Sequence, residues 1–362
     1  MKKYLFVPIV FVMLVGLIFS ACAAPAQAPA PSTTPTPAPA AQVIQLNIAL
    51  GSPPQHTNTV TYDAWAKDVE AATKGRVKFK VFNSGSLLKE AEISDGILKG
   101  IADVGHFQPA VTPGRFPTLQ AFEIPGAGPS SSMSSTLALN EARNTLKPKE
   151  YDQYKILWSS SPGSAHIGMI KKPVRTLEDL KGVEIRGAGM TKDALDALGA
   201  VGVAIPMPET PLALQKGIVA GAAHSPETLL TEHFADYFKS VTTCYIYSAF
   251  VFNFAFNLQK WNSLPADIQK TIDEVSAGYP KKYAELCDSN HAKGWALLKE
   301  KNIEIIRLPD SEYARWLKAW EPMKAKWISD MNAKGANGQQ IMDMSRELLS
   351  KYYKQYPDVS RQ

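Results

Sequence analysis

Cysteine is scarce in this chain, which has only three, at positions 22, 244 and 287. That scarcity excludes a disulfide-built scaffold and a cysteine-rich metal module. The signatures of the common enzyme classes are also missing: there is no Gly-x-Ser-x-Gly elbow, His-Glu-x-x-His, Walker loop or Cys-x-x-Cys. The histidines, at 56, 106, 166, 224, 233 and 291, contain no i, i+4 pair suited to one metal. No metal and no cofactor are therefore expected. A net charge of +5, with no basic stripe, is too weak for a nucleic-acid partner. What is present is a globular composition, 45% hydrophobic and 20% charged over 362 residues, enough for one large or two medium domains.

The N-terminus gives an address. Two lysines within Met1 to Tyr4 precede an uncharged run from Leu5 to Phe19, so residues 1–21 read as a signal peptide, too short for a permanent span. Phe19-Ser20-Ala21-Cys22 resembles a bacterial lipobox, which makes Cys22 the expected lipidated mature N-terminus. The other reading is cleavage at a later site such as Ala26-Gln27-Ala28. Ala23 to Ala41 is uncharged and rich in Ala and Pro, so residues 22–42 read as a tether reaching about 60 Å at roughly 3 Å per residue. On either reading the protein leaves the cytoplasm. With Cys22 consumed by lipid, Cys244 and Cys287 form an even pair and a disulfide between them is expected; two separate buried thiols are the alternative.

Beyond the tether the pattern is α/β. Ile44, Leu46, Ile48 and Leu50 alternate with Gln45, Asn47 and Ala49 and stop at Gly51-Ser52-Pro53-Pro54, predicting a strand that ends in a loop. Val60, Trp65, Val69 and Ala72 predict a helix, and Val77, Phe79 and Val81 the next strand. A second helix is expected from about Leu88 to Lys99, then strands at Ile101 to Phe107, Tyr154 to Trp158, Ile167 to Ile170 and Val183 to Arg186, in a parallel arrangement. Pro109 to Ser135 reads as loop, and Thr210-Pro211 as a helix start. Tyr245 to Phe256 is apolar and uncharged and reads as one buried strand crossing between domains. The helical stretch after Pro265 should bend at Gly278-Tyr-Pro280. Tyr313, Trp316, Leu317, Trp320, Met323 and Trp327 form an amphipathic helix with solvated lysines outside, not a nucleic-acid surface.

Candidate site residues sit where predicted strands end, since α/β sheets place ligands there. Arg186 closes an apolar strand and is followed by Gly187-Ala-Gly189. The third glycine of a dinucleotide fingerprint is replaced by Lys192, so the turn reads instead as backbone N–H groups facing a cleft. Arg186 could bind a carboxylate through two parallel hydrogen bonds, or form an internal salt bridge. His56, His166 and His224 lie beside strand ends. Ser225 has no nearby triad partner. Phe107 and Gln108 end one strand, and Trp158 and Phe250 lie at a strand end and a crossing.

Together these residues resemble the solute-binding proteins of tripartite ATP-independent periplasmic (TRAP) transporters, from about Ile44 to Tyr353. The most specific stretch is Pro173-Val-Arg-Thr-Leu-Glu-Asp-Leu-Lys-Gly-Val-Glu-Ile-Arg186. It continues through Leu198-Gly-Ala200, Ile205-Pro206, Glu209, Ala213-Leu-Gln-Lys-Gly217, Val219-Ala-Gly221 and Trp261-Asn-Ser-Leu-Pro265. Upstream, Gly75-Arg-Val-Lys, Ser84-Gly-Ser-Leu87, Phe116-Pro117 and Ile124-Pro125 fit as well. The resemblance implies a two-domain periplasmic-binding-protein-like α/β fold with an interdomain ligand cleft and long bracing helices. Its domains would be 44–163 plus 252–290 and 164–251 plus 291–330, followed by a C-terminal helical segment, 331–362.

By resemblance Arg186 is the carboxylate clamp. His166 stands where several members carry a second basic contact, so a monocarboxylate with an apolar part is expected. The implied function is binding without catalysis: an extracytoplasmic receptor that delivers an organic acid to TRAP membrane permease subunits. A receptor feeding a sensor kinase, or a secreted enzyme on the same scaffold, is the alternative. The family's usual Val-Asp-Gly reads Val219-Ala220-Gly221 here, and its frequent Glu-x-Tyr reads Glu209-Thr210-Pro211. No particular member's substrate is therefore carried over.

Overall fold

The computed structural model describes residues 43–358. The expected leader, Cys22 and the tether lie outside the described residues. Eleven strands form two sheets among the described residues: β1 (Ile44–Ala49), β2 (Val77–Phe82), β3 (Val104–Phe107), β4 (Tyr154–Ser160), β5 (His166–Met169), β6 (Glu184–Gly187), β7 (Val201–Ala204), β8 (Gly221–His224), β9 (Ser240–Thr243), β10 (Phe252–Asn257) and β11 (Glu304–Arg307). The helices are α1 (Thr57–Ala72), α2 (Ile93–Leu98), α3 (Ser132–Leu146), α4 (Met190–Ala197), α5 (Thr210–Lys216), α6 (Thr228–Thr231), α7 (Leu258–Ser263), α8 (Ala266–Ser276), α9 (Tyr279–Glu300), α10 (Asp310–Ala333) and α11 (Gly338–Gln355).

The first sheet runs β2-β1-β3-β10-β4 and the second β11-β9-β5-β8-β6-β7. Neither is wholly parallel, which corrects the sequence expectation. β10 runs against both β3 and β4, and β5 against both β8 and β9. The cause is the chain path: β5 receives the chain from the first sheet and β10 returns it from the second. Each enters where its neighbours end, so His166 pairs with His224 and Phe252 with Ser160.

Tyr245 to Phe256 is not one strand either, because β10 begins only at Phe252. The preceding residues are just as buried, but other groups take up their backbone. Phe250 N donates to Ser161 Oγ (3.1 Å), and Val251 N to Glu123 Oε1 (2.9 Å). Ile246 N and Tyr247 O pair with Ala165. Glu123 is itself buried, and burial pushes its carboxyl up to about 8. A buried acid raised above its unfolded value of 4.5 holds its proton in the folded state, so stability falls as pH rises from about 4.5 through about 8. Glu123→Gln should remove this dependence. In thermal melts its midpoint should gain on the wild type from pH 5 to pH 8; parallel curves would refute the assignment.

Long helices tie the sheets together. α9 packs on α1, α3 and β4 on one side and on α6 and β11 on the other. The bend expected near Gly278 appears as the break between α8 and α9. α10 passes unbroken through Pro322, placing Trp316 and Trp320 in the core beneath the second sheet and Trp327 and Met331 in that beneath the first. The expected disulfide is absent: Cys244 and Cys287 are both buried, and neither is disulfide-bonded. Cys287 Sγ is committed elsewhere, against Pro162 O (3.9 Å) and His291 Nε2 (3.6 Å).

Candidate ligand-binding site

The strand ends that the two crossings bring together enclose a cavity of about 1170 Å³. From the first-sheet side come His56, Glu90, Gln108 and Ala110; from the second, Arg186, Gly189, His224 and Ser225. The irregular crossing segment supplies Tyr247 and Phe250, β10 supplies Phe252, and α10 supplies Trp327. The wall is aromatic where the ring of Phe250 meets those of Tyr247 (5.4 Å) and Phe252 (5.5 Å).

Arg186 is only 8% exposed at the end of β6, where parallel pairing with β7 and β8 holds it. Its Nε donates to Ile205 O (3.0 Å), and it forms no ion pair among the described residues. The salt-bridge reading therefore fails. Burial lowers the guanidinium to about 10, which leaves it charged at neutral pH. Of the four lysines on the rim, Lys192 is paired with Asp196 (2.6 Å) and Lys326 with Asp330 (2.7 Å), Lys334 Nζ donates to Gly114 O (3.3 Å), and exposed Lys89 forms no ion pair among the described residues.

The histidines on the wall are neutral. His56 caps α1, its Nδ1 accepting from Asn58 N (3.1 Å), which leaves the ring proton on Nε2. Burial lowers it to about 4, opposed by Glu227 and reinforced by Arg186. Burial likewise brings His224 down to about 4. Glu227 is buried beside them, accepting from Ser225 Oγ (2.6 Å) and lying 2.8 Å from His291 Nε2. Burial works to raise its carboxyl, but His291 overcomes this and keeps it below its ordinary range. Glu90 has no such partner, and burial pushes it up to about 8.

This arrangement is a binding pocket: one buried cation without a salt-bridge partner in a largely apolar and aromatic cavity. Residues 49–330 match the model of bacterial extracellular solute-binding protein family 7. The chain belongs to this family. Its members are the solute-binding proteins of TRAP transporters, extracytoplasmic receptors and not enzymes. The chain is similar to a TRAP periplasmic solute-binding protein of Desulfovibrio salexigens, at 31% identity over 88% of this chain and 99% of that one, with a TM-score of 0.76. In that open complex the C-terminus of a symmetry mate lies in the ligand site. A marine-metagenome TRAP solute-binding protein specific for aromatic acids, in complex with 3-hydroxybenzoate, is 25% identical over 86% of this chain and 99% of its own, with a TM-score of 0.78. A solute-binding protein of Verminephrobacter eiseniae is 26% identical over 74% of this chain and 80% of its own.

Within this TRAP receptor, Arg186, His56, His224, Ser225, Gln108 and Phe250 all lie on the cavity wall. Three expected residues do not. Trp158 points to the helix-covered face of β4, packed among Tyr62, Trp65, Phe254 and Tyr279. Phe107 turns into the core against Phe116 and Tyr154. His166 is fully buried between the rings of Tyr245 (5.5 Å) and Trp295 (5.4 Å), off the wall, so it supplies no second cation there. Sequence reasoning missed Tyr247, Glu227 and Trp327. Ser225-Pro-Glu227 was legible as a continuation of the His224 loop, whereas the other two reach the wall only through tertiary packing.

Proposed function

We propose that this TRAP receptor binds a monocarboxylate bearing an aromatic or branched apolar group and delivers it to a TRAP-type membrane permease. The observation that carries this reading is Arg186: a buried guanidinium without a carboxylate partner, opening on a cavity lined by Tyr247, Phe250 and Phe252. A ligand carboxylate would supply the missing counter-charge through the planar fork, in surroundings where the pair is poorly screened. Neutral His56 and His224 offer hydrogen bonds without a second full charge, which favours one carboxylate over two. The aromatic-acid specificity of the marine-metagenome relative supports the same class.

In this reading the lobes that close on the ligand are 44–163 plus 252–290 and 164–251 plus 291–330, with 331–362 as a C-terminal brace. Cys22 carries the lipid and residues 23–41 form the tether, holding the receptor at the outer face of the cytoplasmic membrane or in the periplasm. A thermal-shift screen tests the ligand class. An aromatic or branched monocarboxylate at a hundred times its dissociation constant should stabilise the protein by about 2.7 kcal/mol, with succinate inert. A response confined to C4 dicarboxylates would overturn the assignment.

A further inference from the structure

Glu227 on the cavity wall and Cys287 and His291 behind it bring a carboxylate oxygen, a sulfur and a ring nitrogen within 4.8 Å of one another, all three residues buried. We propose that these side chains form a binding site for a thiophilic divalent cation of the Zn²⁺ class, separate from the Arg186 carboxylate site.

Cys287 and His291 are four residues apart on α9 and so share one face of it. Glu227 approaches from the loop after β8. The Sγ to Nε2 separation is 3.6 Å. Zinc bonds of about 2.3 Å to sulfur and 2.0–2.1 Å to nitrogen, at a tetrahedral angle, require about 3.5 Å. The Nε2 to Oε2 distance of 2.8 Å must open by about half an ångström, a small rotation for a glutamate. The donor set, one thiolate, one imidazole and one carboxylate, suits zinc and disfavours magnesium and calcium, which take oxygen ligands.

The surroundings are those of a supported site. Ser225 Oγ donates to Glu227 Oε1 (2.6 Å), turning Oε2 toward His291. On the other side of the ring, Nδ1 lies 3.7 Å from Asp288 Oδ1, too far for a hydrogen bond but close enough that a small ring rotation on metal binding would form the carboxylate–histidine contact that orients metal-bound imidazoles. Asp288 is fixed in turn by Ser132 N (2.7 Å) and Met133 N (3.0 Å) at the start of α3. Tyr283, one turn before Cys287 on α9, has a buried hydroxyl with no hydrogen-bond partner among the described residues.

The exchange balances. A dication that displaces the Cys287 thiol proton and the His291 imidazolium proton releases two protons to solvent, and the buried site keeps the same net charge. Ser225 and Glu227 both line the cavity, so an entry path exists and a fourth coordination position can be filled by water from that side.

Chelator-treated mature protein, with no organic acid present, is titrated with Co²⁺ and then Zn²⁺. The expected result is one equivalent of Co²⁺ with a thiolate-to-metal charge-transfer band and tetrahedral visible absorption, both abolished by Zn²⁺. Cys287→Ser should remove the band, Asp288→Asn should weaken affinity by about 10- to 100-fold, and Cys244→Ser should leave the spectrum unchanged. If the wild-type protein shows no thiolate band, or the band survives in Cys287→Ser, the proposal is overturned. The wild-type spectrum decides even where a variant fails to fold. Carboxylate binding is measured separately, so failure here leaves the proposed function standing.

Discussion

Arg186→Ala should weaken organic-acid binding by about thirty-fold to several thousand-fold, the range implied by the roughly 2 to 5 kcal/mol cost of truncating one partner of a buried charge pair. The same substitution should not destabilise the ligand-free protein in proportion. Among the described residues Arg186 makes one hydrogen bond, to Ile205 O, worth about 1 kcal/mol, and its removal relieves the cost of burying a cation that has no carboxylate in direct contact and only the more distant Glu232 to offset it. Affinity and stability therefore move apart: calorimetry reports the loss while the ligand-free melting midpoint stays level or rises. Arg186→Lys keeps the charge and loses the fork, and should fall between the two proteins. Unchanged affinity in Arg186→Ala would remove Arg186 from the site.

The second large effect is expected at Gly189, where the turn after β6 touches the segment after β3. A Cβ there would lie 2.3 Å from Ala110 O and 2.4 Å from Ala110 Cβ, on a backbone with φ 49° and ψ −128° that side chains other than hydrogen rarely adopt. Gly189→Ala must therefore hold the two halves of the cleft apart or strain the turn. Turn strain falls on the open and closed forms alike, whereas the Ala110 overlap falls on the form closed on ligand, which bears a penalty of about 1 to 3 kcal/mol, equivalent to roughly five- to 150-fold in affinity. The loss should apply to every ligand equally, unlike an effect on a contact residue, and X-ray scattering should show a larger radius of gyration at saturating ligand. Wild-type affinity in Gly189→Ala would show that this approach is not part of binding.

Periodicity made β1, α1, β2 and β6 legible in the sequence, because each couples an alternating or helical apolar pattern to a recognisable stop. β7, β8, β9 and β11 were not legible. They are four-residue strands whose burial comes from the sheet around them, and Gly221–His224 is nearly featureless as a sequence. The reversal of β5 and β10 could not be read either, since direction depends on which sheet receives the chain. Among site residues, Arg186 stood out as a charge at the end of an apolar strand. Trp158 and Phe107 misled because nearness to a strand end does not say which face a side chain occupies. His166 misled for a different reason, since its family position suggested a cation that its packing between two rings does not provide. The i, i+4 spacing of Cys287 and His291 on α9 carries no metal signature by itself, because its third partner, Glu227, is brought in only by tertiary packing.

The place of β10 has a consequence for synthesis. It lies between β3 and β4, so residues 44–160 contain four strands of the first sheet without the one that joins β4 to β3. The nascent chain cannot close that sheet until Phe252–Asn257 has left the ribosome. A polypeptide that must thread a membrane channel before it folds gains from this order, because its first half stays extensible for the longest part of translation. Fragments ending before residue 252 should accordingly be unfolded, protease-sensitive chains, however native their sequence.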